Sequence, residues 1–183
     1  MSNAPLQTFI AYVEDLPGVL NRVTSLLRRR NYNIASLTVG RTERPGVSRM
    51  TIVVEADEDG ARRIEANLYK LVNVLWVQNT SHATTMAHEL ALIKVRSDGA
   101  NRDEVMRLCE KQNARVVDVG PQALVAEITG TGDKIDGLLE TLRPFGVVEM
   151  VRTGVVAMVR SEDASDSNRV PNSWPPAGDA RAA

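Results

Sequence analysis

One succession of apolar periods runs through this chain twice, and it restricts the fold more than any other feature. Phe9, Ala11 and Val13 alternate with polar neighbours and predict a buried strand. Asp15-Leu16-Pro17-Gly18 breaks it. Val19, Leu20, Val23, Leu26 and Leu27 follow at helical spacing, with Arg22 and the run Arg28-Arg29-Arg30 off that face. Asn31 suits a helix end, and the three arginines suit the negative end of the helix dipole. Ala35, Leu37 and Val39 alternate in a second strand, and RTERPGV is a polar loop with a Pro-Gly turn. Met50, Ile52 and Val54 mark a third strand. Ile64, Leu68 and Leu71 mark a second helix, and VNVLWVQN supplies a fourth strand.

The order β-α-β-β-α-β then recurs. ELALIKVRS is a strand, and residues 101–112 form a helix with Val105, Leu108 and Cys109 inward. ARVVDVG and ALVAEITG are strands separated by Gly120-Pro121. A helix with Ile135, Leu138, Leu139 and Leu142 on one face follows, then a last strand and an extra one after Gly154. This is the split-βαβ, ferredoxin-like plan. The expected fold class is therefore α+β with two tandem ferredoxin-like units. They span residues 5–80 and 89–160, joined by a linker at 81–88. Residues 161–183 are rich in Ser, Asp, Pro and Ala and read as a disordered tail, with a docking peptide anchored by Trp174 as the alternative. Four-stranded sheets of this kind leave an edge to cover, so a homodimer is expected. Its contact should draw on the first helix and second strand, including Val23, Leu26 and Leu37.

Composition excludes several functions. The chain has 183 residues, 43% apolar and 25% charged, which suits a globular protein. A net charge of −1 argues against nucleic-acid binding, which draws its affinity from a basic excess. No run approaches the ~18 apolar residues of a membrane span, and the start has no signal-peptide pattern, so a cytoplasmic location is expected. Cys109 is the single cysteine, and with His82 and His88 it makes a poor zinc set. No nucleophile has a base at a recognisable spacing and no P-loop is present, so the expectation is no catalytic residues, no metal and no cofactor.

The segment Asp15-Leu16-Pro17-Gly18 is the candidate binding site. Pro17 fits a first helical turn, and Gly18 removes a side chain where the turn's free N–H groups point outward and attract anions. Asp15 can cap the helix or accept from an ammonium group. Together these would suit a zwitterion such as a free α-amino acid; the plainer reading is an N-cap with a tight turn. Asn33 can donate and accept toward a ligand, or satisfy its own turn. His82 and His88 read as solvated linker residues and Cys109 as a small core residue. Arg28-Arg29-Arg30 reads as a solvated helix end or a partner-binding patch. Gly130-Thr131-Gly132-Asp133 reads as a turn with Asp133 as N-cap rather than a phosphate loop.

VEDLPGVLNRV, NYNIASLTVG and SRMTI carry a resemblance. The first segment resembles the ACT domain, an amino-acid-sensing ferredoxin-like module. The whole run, with KLVNVLWV, resembles the small regulatory subunit of acetolactate synthase, also called acetohydroxyacid synthase. NRDEVMRLCEKQNARVVDV and MVRTGVVAMVR resemble that family's C-terminal domain, so the likeness covers residues 9–160. It implies a non-catalytic subunit that binds the large catalytic subunit, raises its activity and confers feedback inhibition by valine. Thiamine diphosphate, Mg²⁺ and FAD would then belong to the large subunit. It also implies that valine sits between two ACT domains, against a loop polar residue, a loop glycine and an asparagine. These map onto Asp15, Gly18 and Asn33. Several family members carry Asn where this chain has Asp15, which can still accept from the ligand ammonium but repels a nearby carboxylate. The alternative is a free-standing ACT-type sensor regulating another enzyme or a transcription factor.

Overall fold

The computed structural model describes residues 4–160. The chain divides into two compact units, with boundaries at Met86/Ala87 and Val156/Ala157. The first holds β1 (Leu6–Glu14), α1 (Val19–Arg29), β2 (Ile34–Arg41), β3 (Val47–Glu55), α2 (Glu58–Leu68) and β4 (Val74–Asn79). Its sheet runs β2-β3-β1-β4, with antiparallel neighbours throughout. This is the expected ferredoxin-like path.

Side-chain alternation sets the helix-facing side of that sheet. Phe9, Ala11 and Val13 of β1 and Met50, Ile52 and Val54 of β3 are buried there. Against them α1 lays Val19, Val23, Leu26 and Leu27, and α2 lays Ala61, Ile64 and Leu68. Burying each large apolar side chain contributes about 1.5–3 kcal/mol before entropy is set against it. Val23 and Leu26 are 0% and 9% exposed. They are therefore core residues of one protomer and are not available for the contact between copies expected of them. Leu37 also packs against this core, partly buried.

The second unit repeats the plan: β5 (Thr85–Arg96), α3 (Arg102–Lys111), β6 (Arg115–Val119), β7 (Ala123–Gly130), α4 (Gly132–Leu142), a 3₁₀ turn (Arg143–Phe145) and β8 (Val147–Arg152). The sheet order β6-β7-β5-β8 matches that of the first unit, and β9 (Val156–Val159), the extra strand after Gly154, pairs with β5. Ala91, Ile93, Val95, Cys109, Leu124, Ile135 and Leu138 form its core. β5 begins at Thr85, so residues 85–88 of the expected linker belong to a strand. The proposed tail and Trp174 lie outside the described residues.

Candidate ligand site

β1 delivers the chain to the first loop. The Asp15 N–H donates to the Gly46 carbonyl at 2.8 Å, and Gly46, at φ +78°, closes the β2–β3 turn. That anchor fixes where the loop leaves the sheet. Asp15 does not cap α1. Its Oδ1 accepts from the Ser48 hydroxyl at 3.1 Å, and its Oδ2 lies 3.2 Å from Nε of Arg41. Pro17 precedes the helix instead of opening it, and Gly18 is the N-cap.

Gly18 adopts φ +85° and ψ −7°, the left-handed region that a residue with a side chain enters only at a cost. A Cβ at this position would find nothing within 4 Å, so the space beside it is open. No side chain caps α1. Among the described residues, the N–H groups of Gly18, Leu20 and Asn21 have no acceptor. These donors and the positive end of the helix dipole face the same opening.

The other helix starts are occupied. Asp57 caps α2 by accepting from the Gly60 N–H at 2.7 Å, with Glu58 and Asp59 in the first turn. In the loop before α3, Asp98 accepts from the Ala100 and Asn101 N–H groups at 2.9 and 3.3 Å, and Asp103 and Glu104 follow. Asp133 lies in the first turn of α4, where Thr131, not Asp133, is the N-cap. Only α1 has no acidic residue in its first turn. An incoming anion therefore meets no like charge from the helix itself.

Asn33 lies elsewhere. Its carbonyl accepts from the Glu55 N–H at 3.2 Å, and its Nδ2 donates to Oε1 of Glu55 at 3.3 Å. Along β3, Ser48 beside Asp15 and Glu55 beside Asn33 are separated by seven residue steps. At 3.3 Å per residue that is about 23 Å. The structure brings Asp15, Gly18, Arg41 and Ser48 together at one end of the sheet and leaves Asn33 at the other. Arg41 and Ser48 were not found from sequence. The signal was strand register: Arg41 pairs with Ser48 across β2–β3, and Glu14 pairs with Val47 across β1–β3.

The remaining sequence candidates fall outside the site. His82 is exposed, with Nε2 2.7 Å from the Glu58 carboxylate. His88 lies exposed on β5. Cys109 is fully buried, and burial pushes its thiol pKa up. Among the described residues no group of three or more His, Cys, Asp and Glu side chains could hold a metal ion. No helix is long and apolar enough to cross a membrane.

Comparison with known proteins matches two family models. Residues 9–76 match the acetohydroxyacid synthase small-subunit-like ACT domain, and residues 88–161 match the small subunit of acetolactate synthase. The chain is 45% identical to the acetolactate synthase small subunit of Mycobacterium leprae over 160 residues, covering 87% of this chain and 95% of that one. It is 43% identical over 151 residues to a probable acetolactate synthase small subunit of Methanothermobacter thermautotrophicus, covering 82% of this chain and 90% of that one. The crystal structure of the acetolactate synthase small subunit from Thermotoga maritima superposes with a TM-score of 0.80 at 37% identity, covering 85% of this chain and 98% of that one.

Proposed function

The chain belongs to the acetolactate synthase small-subunit family, and on that premise we propose that it activates a large catalytic subunit and makes it sensitive to valine. Catalysis, with thiamine diphosphate, Mg²⁺ and FAD, is assigned to the large subunit. Among this chain's residues, Asp15, Gly18 and Asn33 are assigned to valine and none to the reaction.

The observation that carries this reading is the open start of α1. A carboxylate can accept from the N–H groups of Gly18, Leu20 and Asn21, gaining charge-assisted hydrogen bonds. The ligand's ammonium group needs acceptors nearby. Each oxygen of Asp15 has one contact, to Ser48 or Arg41, and keeps a lone pair for a donor. Arg41 also offsets the repulsion that Asp15 would exert on the ligand carboxylate.

Asn33 is supplied by a second copy. β2 is an edge strand with unpaired backbone groups along one side. Antiparallel pairing of two such edges about a two-fold axis near Leu37 sets Asn33 of one copy beside Arg41 of the other. The amide then closes the valine site from across the interface. Such a site couples effector binding to the arrangement of two subunits, and a coupling of about 1–3 kcal/mol suffices for feedback control.

The test is reconstitution of the full chain with its matching large subunit. The small chain alone should form no acetolactate from pyruvate. Added to the large subunit it should raise the rate, and valine should lower that rate again. Turnover by the small chain alone would overturn the non-catalytic assignment. Stimulation without any valine response would overturn the effector assignment.

A further inference from the structure

The end of α1 carries a charge that the valine site does not use. Arg28, Arg29 and Arg30 are all exposed, and α1 contains no Asp or Glu. Arg30 donates to Oδ1 of Asn67 on α2 at 3.2 Å, so the end of α1 lies against the neighbouring helix. Asn67 donates to the Arg63 carbonyl at 2.6 Å, and the i, i+4 spacing sets exposed Arg63 on the same strip of α2. Four arginines from two helices thus share one surface.

The carboxylates at this end are engaged elsewhere. Glu55 accepts from Asn33, Asp57 caps α2, and Asp59 pairs with Arg62 at 2.5 Å. Among the described residues none of Arg28, Arg29, Arg30 and Arg63 forms an ion pair. The helix dipole explains cations in the last turn of α1, where each contributes about 0.3–1 kcal/mol. It does not explain Arg63 in the middle of α2. In the second unit, by contrast, Arg143 and Arg152 are paired with Glu140, Glu89 and Asp136.

We propose that Arg28, Arg29, Arg30 and Arg63 form the docking surface for an acidic face of the large catalytic subunit. This rests on the regulatory reading above. Guanidinium groups bind carboxylates in bidentate pairs, and a cluster of one sign steers a partner of the other. A protein partner fits better than nucleic acid: the chain's net charge is −1, whereas phosphate backbones demand a basic excess over a longer track.

The test uses the full-length double variant R28E/R29E and, separately, R63E on the other helix. Dimerisation and valine binding by the isolated small subunit serve as fold controls and should stay within about threefold of wild type. Stimulation of the large subunit is then titrated at low and at moderate salt. Charge reversal should raise the concentration for half-maximal stimulation at least tenfold, while R28K/R29K should keep most of the effect. The wild-type affinity should fall as salt rises and that of R28E/R29E should not. If R28E/R29E and R63E, both dimeric, stimulate at the wild-type concentration, the docking surface lies elsewhere. If valine binding is lost while stimulation is kept, the arginines serve the effector and the inference is wrong. Loss of binding to duplex DNA or anionic vesicles with stimulation unchanged would overturn it equally. Failure of the wild-type chain to stimulate at all would instead count against the regulatory reading itself.

Discussion

Asp15 and Asn33 stand at opposite ends of β3, one bonded to Ser48 and the other to Glu55. The separation of about 23 Å along the strand exceeds the reach of any amino-acid ligand. A site that uses both residues must therefore take them from two copies of the chain.

This arrangement predicts complementation between defective variants. Gly18→Asp and Asn33→Ala should each weaken valine binding as homodimers. After mixing and subunit exchange, each heterodimer holds one doubly altered site and one intact site. With random assortment about a quarter of all sites are restored. Calorimetric titration of the mixture should show that tight fraction. If every site stays weak after exchange is verified, valine contacts residues of one chain only.

Gly18 allows charge and strain to be separated. Gly18→Asp and Gly18→Asn enter the same left-handed conformation, which Asp and Asn tolerate better than other residues with side chains. Only Asp sets a carboxylate beside the free N–H groups. Valine inhibition of the reconstituted complex should weaken at least tenfold with Gly18→Asp, about 1.4 kcal/mol. Gly18→Asn should weaken it less, with stimulation retained in both. Equal loss in the two variants would assign the effect to backbone strain.

The contact between copies should use residues that are exposed in the protomer. Leu20 on α1 and Val39 on β2 are 43% and 42% exposed, unlike Val23 and Leu26. Val39 pairs with Met50, which sets it on the helix side of the edge strand. Leu20→Glu with Val39→Lys should shift the small subunit toward monomer in light scattering and abolish valine binding, with the helical circular dichroism signal kept. A dimer of unchanged affinity would exclude this edge as the contact.

Cys109 offers a probe of the second unit. It is fully buried against Val105, Leu138 and their neighbours, and burial pushes its thiol pKa up. The thiolate fraction is therefore low at neutral pH, and the reagent has no access. A disulfide reagent should label the native chain far more slowly than the chain in denaturant. Comparable rates would mean that this core opens readily.

Much was legible in the chain because it depends on near neighbours. Alternation at Phe9, Ala11 and Val13 and helical spacing at Val19, Val23 and Leu27 set each element's type and its buried face, and their repetition set the two-unit plan. Gly18 could be singled out for the same reason: a helix start is a local event, and its conformation is determined within a few residues. Burial of Val23 and Leu26 was less clear, since an apolar stripe looks the same whether it faces its own sheet or a second copy. What Asp15, Arg41, Ser48 and Asn33 do could be decided only by tertiary structure. Arg41 reaches Asp15 across 26 positions of sequence, and Asn33 lies far from it despite being eight positions nearer. The physical reason is strand register: a strand advances about 3.3 Å per residue, so residues close in sequence can mark opposite ends of one sheet while the turns fold distant ones together.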